Sequence, residues 1–292
     1  MDTYVETTIK RWDDIFRLER SFFSPFVFRG QQDSLWDLTS SIERIRAKYK
    51  LHTYYSNYTT DEKWMLFEFT RKYHLYSQHN LNYDDYFEWF AIMQHYGAPT
   101  RLLDFTESIF IASYFAVIDS VTDSSIWAIN RHTLRDNLLD DYKLPYVRRN
   151  SLKDEINTFH IDFANNHLLR AFSDDFEYPS TVIPLEPKLY SERLSRQQGM
   201  FLMPTNPDIS FRKNLDKAFR KDFGTLMKIS FEELIKVSNE DSFNTKLEII
   251  KINIPVKLSH DIISNLKGMN ITAEILFPGL EGLAKSLIQT QI

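Results

Sequence analysis

The 292 residues are 43% hydrophobic and 26% charged, which allows one large domain or two small ones around a buried core and disfavours a disordered or fibrous chain. The net charge of −5 gives no global attraction to nucleic acid, although a local basic patch stays open as a binding surface. Cysteine is absent, so disulfides, thiolate nucleophiles, zinc–thiolate sites and iron–sulfur clusters are excluded, and any catalyst must be oxygen- or nitrogen-based.

Residues 1–21 set Ile9, Trp12, Ile15, Phe16 and Leu18 at helical spacing, which predicts a leading amphipathic helix. The same stretch carries acids and has no unbroken apolar run, so neither a signal peptide nor a membrane span is expected, and the chain reads as cytoplasmic. FFSPFVFR at 22–29 predicts a buried strand ending in a turn at Gly30, with Arg29 at the strand end. Helical periodicity follows at 61–78 and 83–97. APTRLLDF at 98–105 is short and broken by Pro99, so a tight loop is expected to join two buried helices, the second at 106–120 with Thr106 as its cap.

Further along, the pattern predicts a strand at 125–130, helices at 131–142 and 151–172, and strands at 181–187 and 199–204. The last part predicts a strand at 246–255, a helix at 258–268 with Ser259 able to cap it, and a strand at 271–277. There is no repeat, low-complexity tract or Pro/Gly/Ser-rich linker, so the expectation is one α+β domain over 1–292 with a helical insertion at roughly 45–90.

Four segments hold candidate chemistry. Gln94 to Asp104 packs His95, Tyr96, Arg101 and Asp104 into a short connection, where Arg101 and Asp104 either form a buried brace with His95 capping its helix, or serve a ligand. Phe28-Arg29-Gly30 offers a planar guanidinium suited to diphosphate or carboxylate, and a glycine beside which a ligand can approach the backbone. Gln197 and Gln198 precede a strand, as a polar turn or as amides that orient a nucleotide or an attacking group. Glu274 lies inside an apolar stretch and Glu281 in the turn after it; alternation puts Glu274 opposite Ala273 and Ile275, on a solvated edge or in a functional role. No GxGxxG, Walker loop, HExxH or serine elbow occurs, and the eight histidines show no ligand spacing, so no metal is implied.

Taken together, FRGQQ at 28–32, HYGAPTRLLDFTES at 95–108, RQQGMF at 196–201 and LFPGLEGLA at 276–284 resemble the FRG domain family, in the family's order. Phe28-Arg29-Gly30 is also similar to the first-strand Tyr-Arg-Gly of arginine-type ADP-ribosyltransferases, and Glu274-Ile275-Leu276-Phe277-Pro278 to their last motif; their Ser-Thr-Ser strand has no counterpart here. This resemblance implies an ADP-ribosyltransferase-like split β-sheet core with a substantial helical portion. It further implies transfer of ADP-ribose from NAD, as substrate and without metal, to RNA, DNA or protein. Arg29 and Gly30 would hold the diphosphate, His95 or Tyr96 the nicotinamide, Arg101 and Asp104 the loop, Gln197 the cofactor, and Gln198 would assist acceptor orientation as part of the catalytic set. Glu274 would be the catalytic carboxylate, with Glu281 in reserve. Such transferases resemble toxins of bacterial toxin–antitoxin and phage-defence systems, which implies an antitoxin or chaperone partner. The other reading is a non-catalytic nucleotide- or nucleic-acid-binding module.

Overall fold

In a computed structural model the described residues are 4–21, 25–49, 58–78, 81–141, 153–172, 180–222, 224, 226–240 and 247–289. In chain order their elements are β1 (Tyr4–Thr8), α1 (Asp13–Ser21), β2 (Phe26–Gln31), α2 (Ser41–Tyr49), α3 (Tyr58–Tyr73), α4 (Tyr86–His95), β3 (Leu103–Thr106), α5 (Ile109–Val117), β4 (Ser124–Asn130), α6 (Arg131–Asp141), α7 (Lys153–Ala171), β5 (Val182–Leu185), α8 (Glu192–Arg196), β6 (Gly199–Pro204), α9 (Phe211–Ala218), β7 (Met227–Lys228), α10 (Phe231–Glu240), β8 (Ile249–Ile254), α11 (Ser259–Gly268), α12 (Ala273–Leu276) and α13 (Leu280–Gln289). None of these helices is long and apolar enough to cross a membrane.

The expected α+β class holds. All eight described strands join one mixed sheet in the order β5-β6-β3-β2-β4-β8-β1-β7, antiparallel from β5 to β8 and parallel across β8, β1 and β7. The transferase resemblance implied a split sheet; here the strands are continuous, with a weak seam. β2 and β3 share a single paired position, Phe28↔Thr106, whereas β2 and β4 share six.

Alternation along the strands sorts the core into two faces. Val27, Leu103, Phe105, Trp127, Ile129 and Leu202 point to one face, where Leu134 of α6 and Phe211 and Leu215 of α9 cover them. The opposite face carries two separate clusters. Phe28, Ile126, Ala128, Ile250 and Ile252 pack under α5, α11 and α12, while Ile183, Leu185, Phe201 and Met203 pack under α4 and α7. Between the clusters runs β3, whose Asp104 and Thr106 share this second face with their partners Phe201 and Phe28. A polar stripe therefore lies where the two helical layers part.

Several expectations are corrected. The leading segment is a strand followed by a helix: Tyr-Val-Glu-Thr-Thr is rich in β-branched residues and pairs with β8, and helical spacing begins only at α1. Gly30 does not end β2 in a turn but sits within it. The expected strand began at Phe22, and residues 22–24 lie outside the described ones, as do parts of the predicted helices at 131–142 and 151–172 and of the insertion at 45–90. The 98–105 loop contains strand β3, and α5 is capped by Ser108, whose hydroxyl accepts from Ile111 N, rather than by Thr106. Ser259 is the first residue of α11, not its cap. The predicted strand at 271–277 is instead the one-turn helix α12, because Ala273, Leu276 and Phe277 bury together at helical spacing.

Candidate functional site

The site is built on the β2–β3 seam. Arg29 stands at the same level as Trp127 on β4, and its Nη1 donates to the Asp104 carbonyl at 2.8 Å, supplying a bond that the short ladder does not. The Asp104 carboxylate lies 3.9 Å from the same Nη1, and only 19% of the Arg29 side chain is exposed. Burial lowers the Arg29 pKa, opposed by Asp104 and reinforced by nearby Arg44. Its Nε is buried with no hydrogen-bond partner. Asp104 also accepts from Gln94 Nε2 at 2.8 Å, and Thr100 Oγ1 donates to Gln94 Oε1, so the end of α4 is tied to β3.

Beside this seam α8, α12 and α13 form a second polar group. Thr106 Oγ1 donates to the Gln197 carbonyl at 2.7 Å, and Gln197 Nε2 donates to the Leu276 carbonyl at 3.1 Å. Arg196 Nη1 donates to the Ile275 carbonyl at 3.0 Å. Arg193 lies over the Phe277 ring, 4.7 Å from its centroid, and 3.9 Å from Glu281, which is also paired with Lys285 at 2.7 Å. The Lys285 hydrogen bond is the leading cause that holds the Glu281 carboxyl below its ordinary range, with Lys285, Arg193 and His95 adding electrostatic support. His95 is lowered chiefly by burial and then by Arg193, against the pull of Glu281. His95 thus joins the α4 end to the Glu281 group.

The structure gathers His95, Gln197 and Glu281 near the Asp104–Thr106 face of β3 through these contacts, whereas Arg29 leaves β2 on the opposite face, with Val27 and Trp127, and meets Asp104 only at the seam. Gln198 adopts φ +46° and is exposed, and its carbonyl accepts from Glu107 N at 3.0 Å. Tyr96 stacks edge-on against His95 and is 74% exposed. Glu274 is exposed on α12, whose carbonyls rather than its carboxylate are held by α8. Among the described residues neither Glu274 nor Glu281 is ion-paired to Arg29.

Two candidates acquire structural explanations. Arg101 does not brace Asp104; it is buried against Glu62, with Nε 2.8 Å from Oε2 and Nη1 3.1 Å from the Thr205 carbonyl. The hollow beside it measures about 10 Å³, room for about one water and not for a dinucleotide. Gly30 makes way for a helix instead of a ligand, since a Cβ there would sit 2.0 Å from the Ala112 carbonyl of α5. Gly282 behaves likewise, with a Cβ 2.0 Å from the Phe277 carbonyl, which packs α13 onto α12. Gln94 and Arg193 were not singled out as candidates by sequence; a glutamine at a helix end and an arginine in a five-residue helix carry no periodic or motif signal. A cleft of about 500 Å³ opens at the β1–β7 edge, and none of the candidate residues lines it.

An α+β chain with a polar seam between two helical layers is the class that fold and site define. Residues 24–125 match the family model of the FRG domain, from just before β2 into the start of β4. That span contains Arg29, His95, Arg101 and Asp104, while the blocks at 196–201 and 276–284 lie beyond it. Neither the curated proteins nor the solved structures give a match to this chain.

Proposed function

We propose that the chain transfers ADP-ribose from NAD to a macromolecular acceptor, with the β2–β3 seam as the diphosphate-binding end and Glu281 as the acting carboxylate. The observation that carries this reading is the grouping of His95, Arg193 and Glu281 next to the seam that Arg29 and Asp104 close. Arg29 fits a diphosphate because its guanidinium is planar and already largely desolvated, and its Nε is unpartnered. Glu281 fits the developing positive charge because neighbouring cations keep it ionised. Glu281 is favoured over Glu274, which is exposed on α12 and has no hydrogen bond or ion pair among the described residues to fix its geometry.

In the reaction the bond between nicotinamide and ribose C1′ breaks with its electron pair leaving on nicotinamide. Glu281 stabilises the oxocarbenium-like centre, and a hydroxyl, amide or amine of the acceptor forms the new C1′ bond and loses its proton to solvent or a base. Gln197 and Gln198 border the side from which an acceptor approaches. The likeness to toxins of toxin–antitoxin and phage-defence systems adds a silencing partner protein to the proposal.

A second reading, non-catalytic nucleotide binding, is favoured by one observation: Glu281 is already paired with Lys285 at 2.7 Å, which occupies the carboxylate a transferase needs free. Incubating the chain with NAD labelled on its adenylate phosphate and with cell lysate, then digesting with RNase, DNase or protease, separates the two. Label that becomes macromolecular and is released by one of the three enzymes supports transfer and names the acceptor class. Bound but unconsumed NAD supports the second reading.

A further inference from the structure

Asp104 stands beside Arg29 without closing on it. Oδ2 lies 3.9 Å from Nη1, about 1 Å beyond a charge-assisted hydrogen bond, although the two side chains meet at one seam. Elsewhere in the chain such a pair does close: Arg17 donates to both oxygens of Glu232, at 2.6 and 2.7 Å, in a more exposed setting. The Asp104 carboxylate is therefore held back.

The restraint is Gln94. Its Nε2 donates to Asp104 Oδ1 at 2.8 Å, and its Oε1 accepts from Thr100 Oγ1, which fixes the end of the amide that faces the carboxylate. Thr100 is fully buried and is itself held on several sides. Its N donates to Ser41 Oγ at 2.9 Å, its carbonyl accepts from Ser41 Oγ at 3.0 Å, and its Oγ1 accepts from Leu102 N at 3.2 Å. A relay thus runs from α2 through Thr100 and Gln94 to Asp104.

We infer that Gln94 is a positioning residue: by anchoring Asp104 Oδ1 to the end of α4, it keeps the carboxylate off Arg29 and leaves the guanidinium open to a phosphate group. Nη1 donates to the Asp104 carbonyl at 2.8 Å, and Nη2 has no acceptor among the described residues. A carboxylate that closed on Arg29 as Glu232 does on Arg17 would fill the two-pronged edge that a phosphate needs. Asp104, with 59% of its side chain exposed, has the room to do so once Gln94 lets go. The same amide ties α4 to β3, and the charge of Asp104 separates the two roles, because a tie that served the fold alone would be indifferent to that charge. The role assigned to Gln94 rests on the reading of Arg29 as the diphosphate end of the site.

Calorimetric titration of the full chain with NAD and with inorganic pyrophosphate tests it, in wild type, Gln94→Ala and Gln94→Ala with Asp104→Asn. Gln94 is half-buried at the end of α4, where alanine keeps the helix, and circular dichroism checks the fold of each variant. Saturable binding of both probes by the wild type is expected, weakened about tenfold in Gln94→Ala as Asp104 closes on Arg29. The double variant should regain most of that loss, since asparagine keeps the shape of Asp104 without its charge. Wild-type affinity in Gln94→Ala, no recovery in the double variant, or no binding of either probe by the wild type overturns the role of Gln94. Pyrophosphate binding that follows the expected pattern while NAD stays unbound supports that role and removes the NAD reading. NAD binding that is insensitive to Gln94→Ala leaves the NAD reading standing and removes Gln94 from it.

Discussion

Arg29 Nη1 donates to the main-chain carbonyl of Asp104 at 2.8 Å, so a side chain from β2 closes a seam in which β2 and β3 pair at one position only. The bond serves the sheet and brings a guanidinium from the Val27–Trp127 face up to the seam beside Asp104. Arg29→Lys keeps the charge but loses the planar fork. It is expected to cost about 1–2 kcal/mol in chemical denaturation and to weaken NAD binding by about tenfold or more. Equal NAD affinity in the two proteins would remove Arg29 from the diphosphate site.

Arg101 and Glu62 form a buried pair, 2% and 1% exposed in their side chains. Arg101→Ala leaves Glu62 uncompensated and is expected to destabilise the fold by about 3–5 kcal/mol. Arg101→Met with Glu62→Leu is expected to cost much less than the sum of the single changes, as read by a double-mutant cycle in urea. Additive costs would show that the two residues act separately.

Gly30→Ala is expected to destabilise by about 3 kcal/mol or more, because its Cβ would meet the α5 backbone at 2.0 Å and backbone yields less readily than a side-chain end. Thermal melting of the variant measures this. A melting point within a degree or two of wild type would mean that α5 can shift at little cost.

His160 and His167 are buried, bonded to the carbonyls of Pro184 and Thr205, and burial pushes both pKa values down from 6.5 to about 4. Between those values the unfolded chain binds protons that the folded chain does not, so the stability they contribute is full above about pH 6.5 and declines as pH falls toward 4. The decline is on the order of 3 kcal/mol per histidine across the window. Urea titrations at pH 7, 6, 5 and 4.5 should show it, and His160→Gln with His167→Gln should flatten the profile.

The long apolar patterns were legible. β4, β6 and β8 fall where alternation and β-branched residues predict strands, and α4, α5 and α11 where helical periodicity does. Short elements were not. β3 is four residues after Pro99, and its strand character comes from pairing with β6 and β2, not from local preference. For Ile271 to Phe277 the same apolar positions satisfy either period, and only the packing of Ala273, Leu276 and Phe277 against the core decides for a helix. The Arg101 partner was out of reach because Glu62 lies on α3, far in sequence from the α4–β3 connection that holds Arg101, and local spacing cannot pair residues brought together by the fold. Arg29, His95, Asp104 and Glu281 were legible as a set because the motif blocks named them; the electrostatic link of Glu281 to His95 needed the α12–α13 packing.

The central claim is that Glu281, held ionised by Lys285 and Arg193, is the acting carboxylate of an NAD-consuming site. Release of nicotinamide from NAD, measured for wild type, Glu281→Gln and Glu274→Gln with folding checked by circular dichroism, tests it most directly. Wild-type release that falls by about 10²–10³-fold in Glu281→Gln and is nearly kept in Glu274→Gln is the predicted result. Undiminished release by Glu281→Gln, or none by the wild type in the presence of lysate, would contradict it.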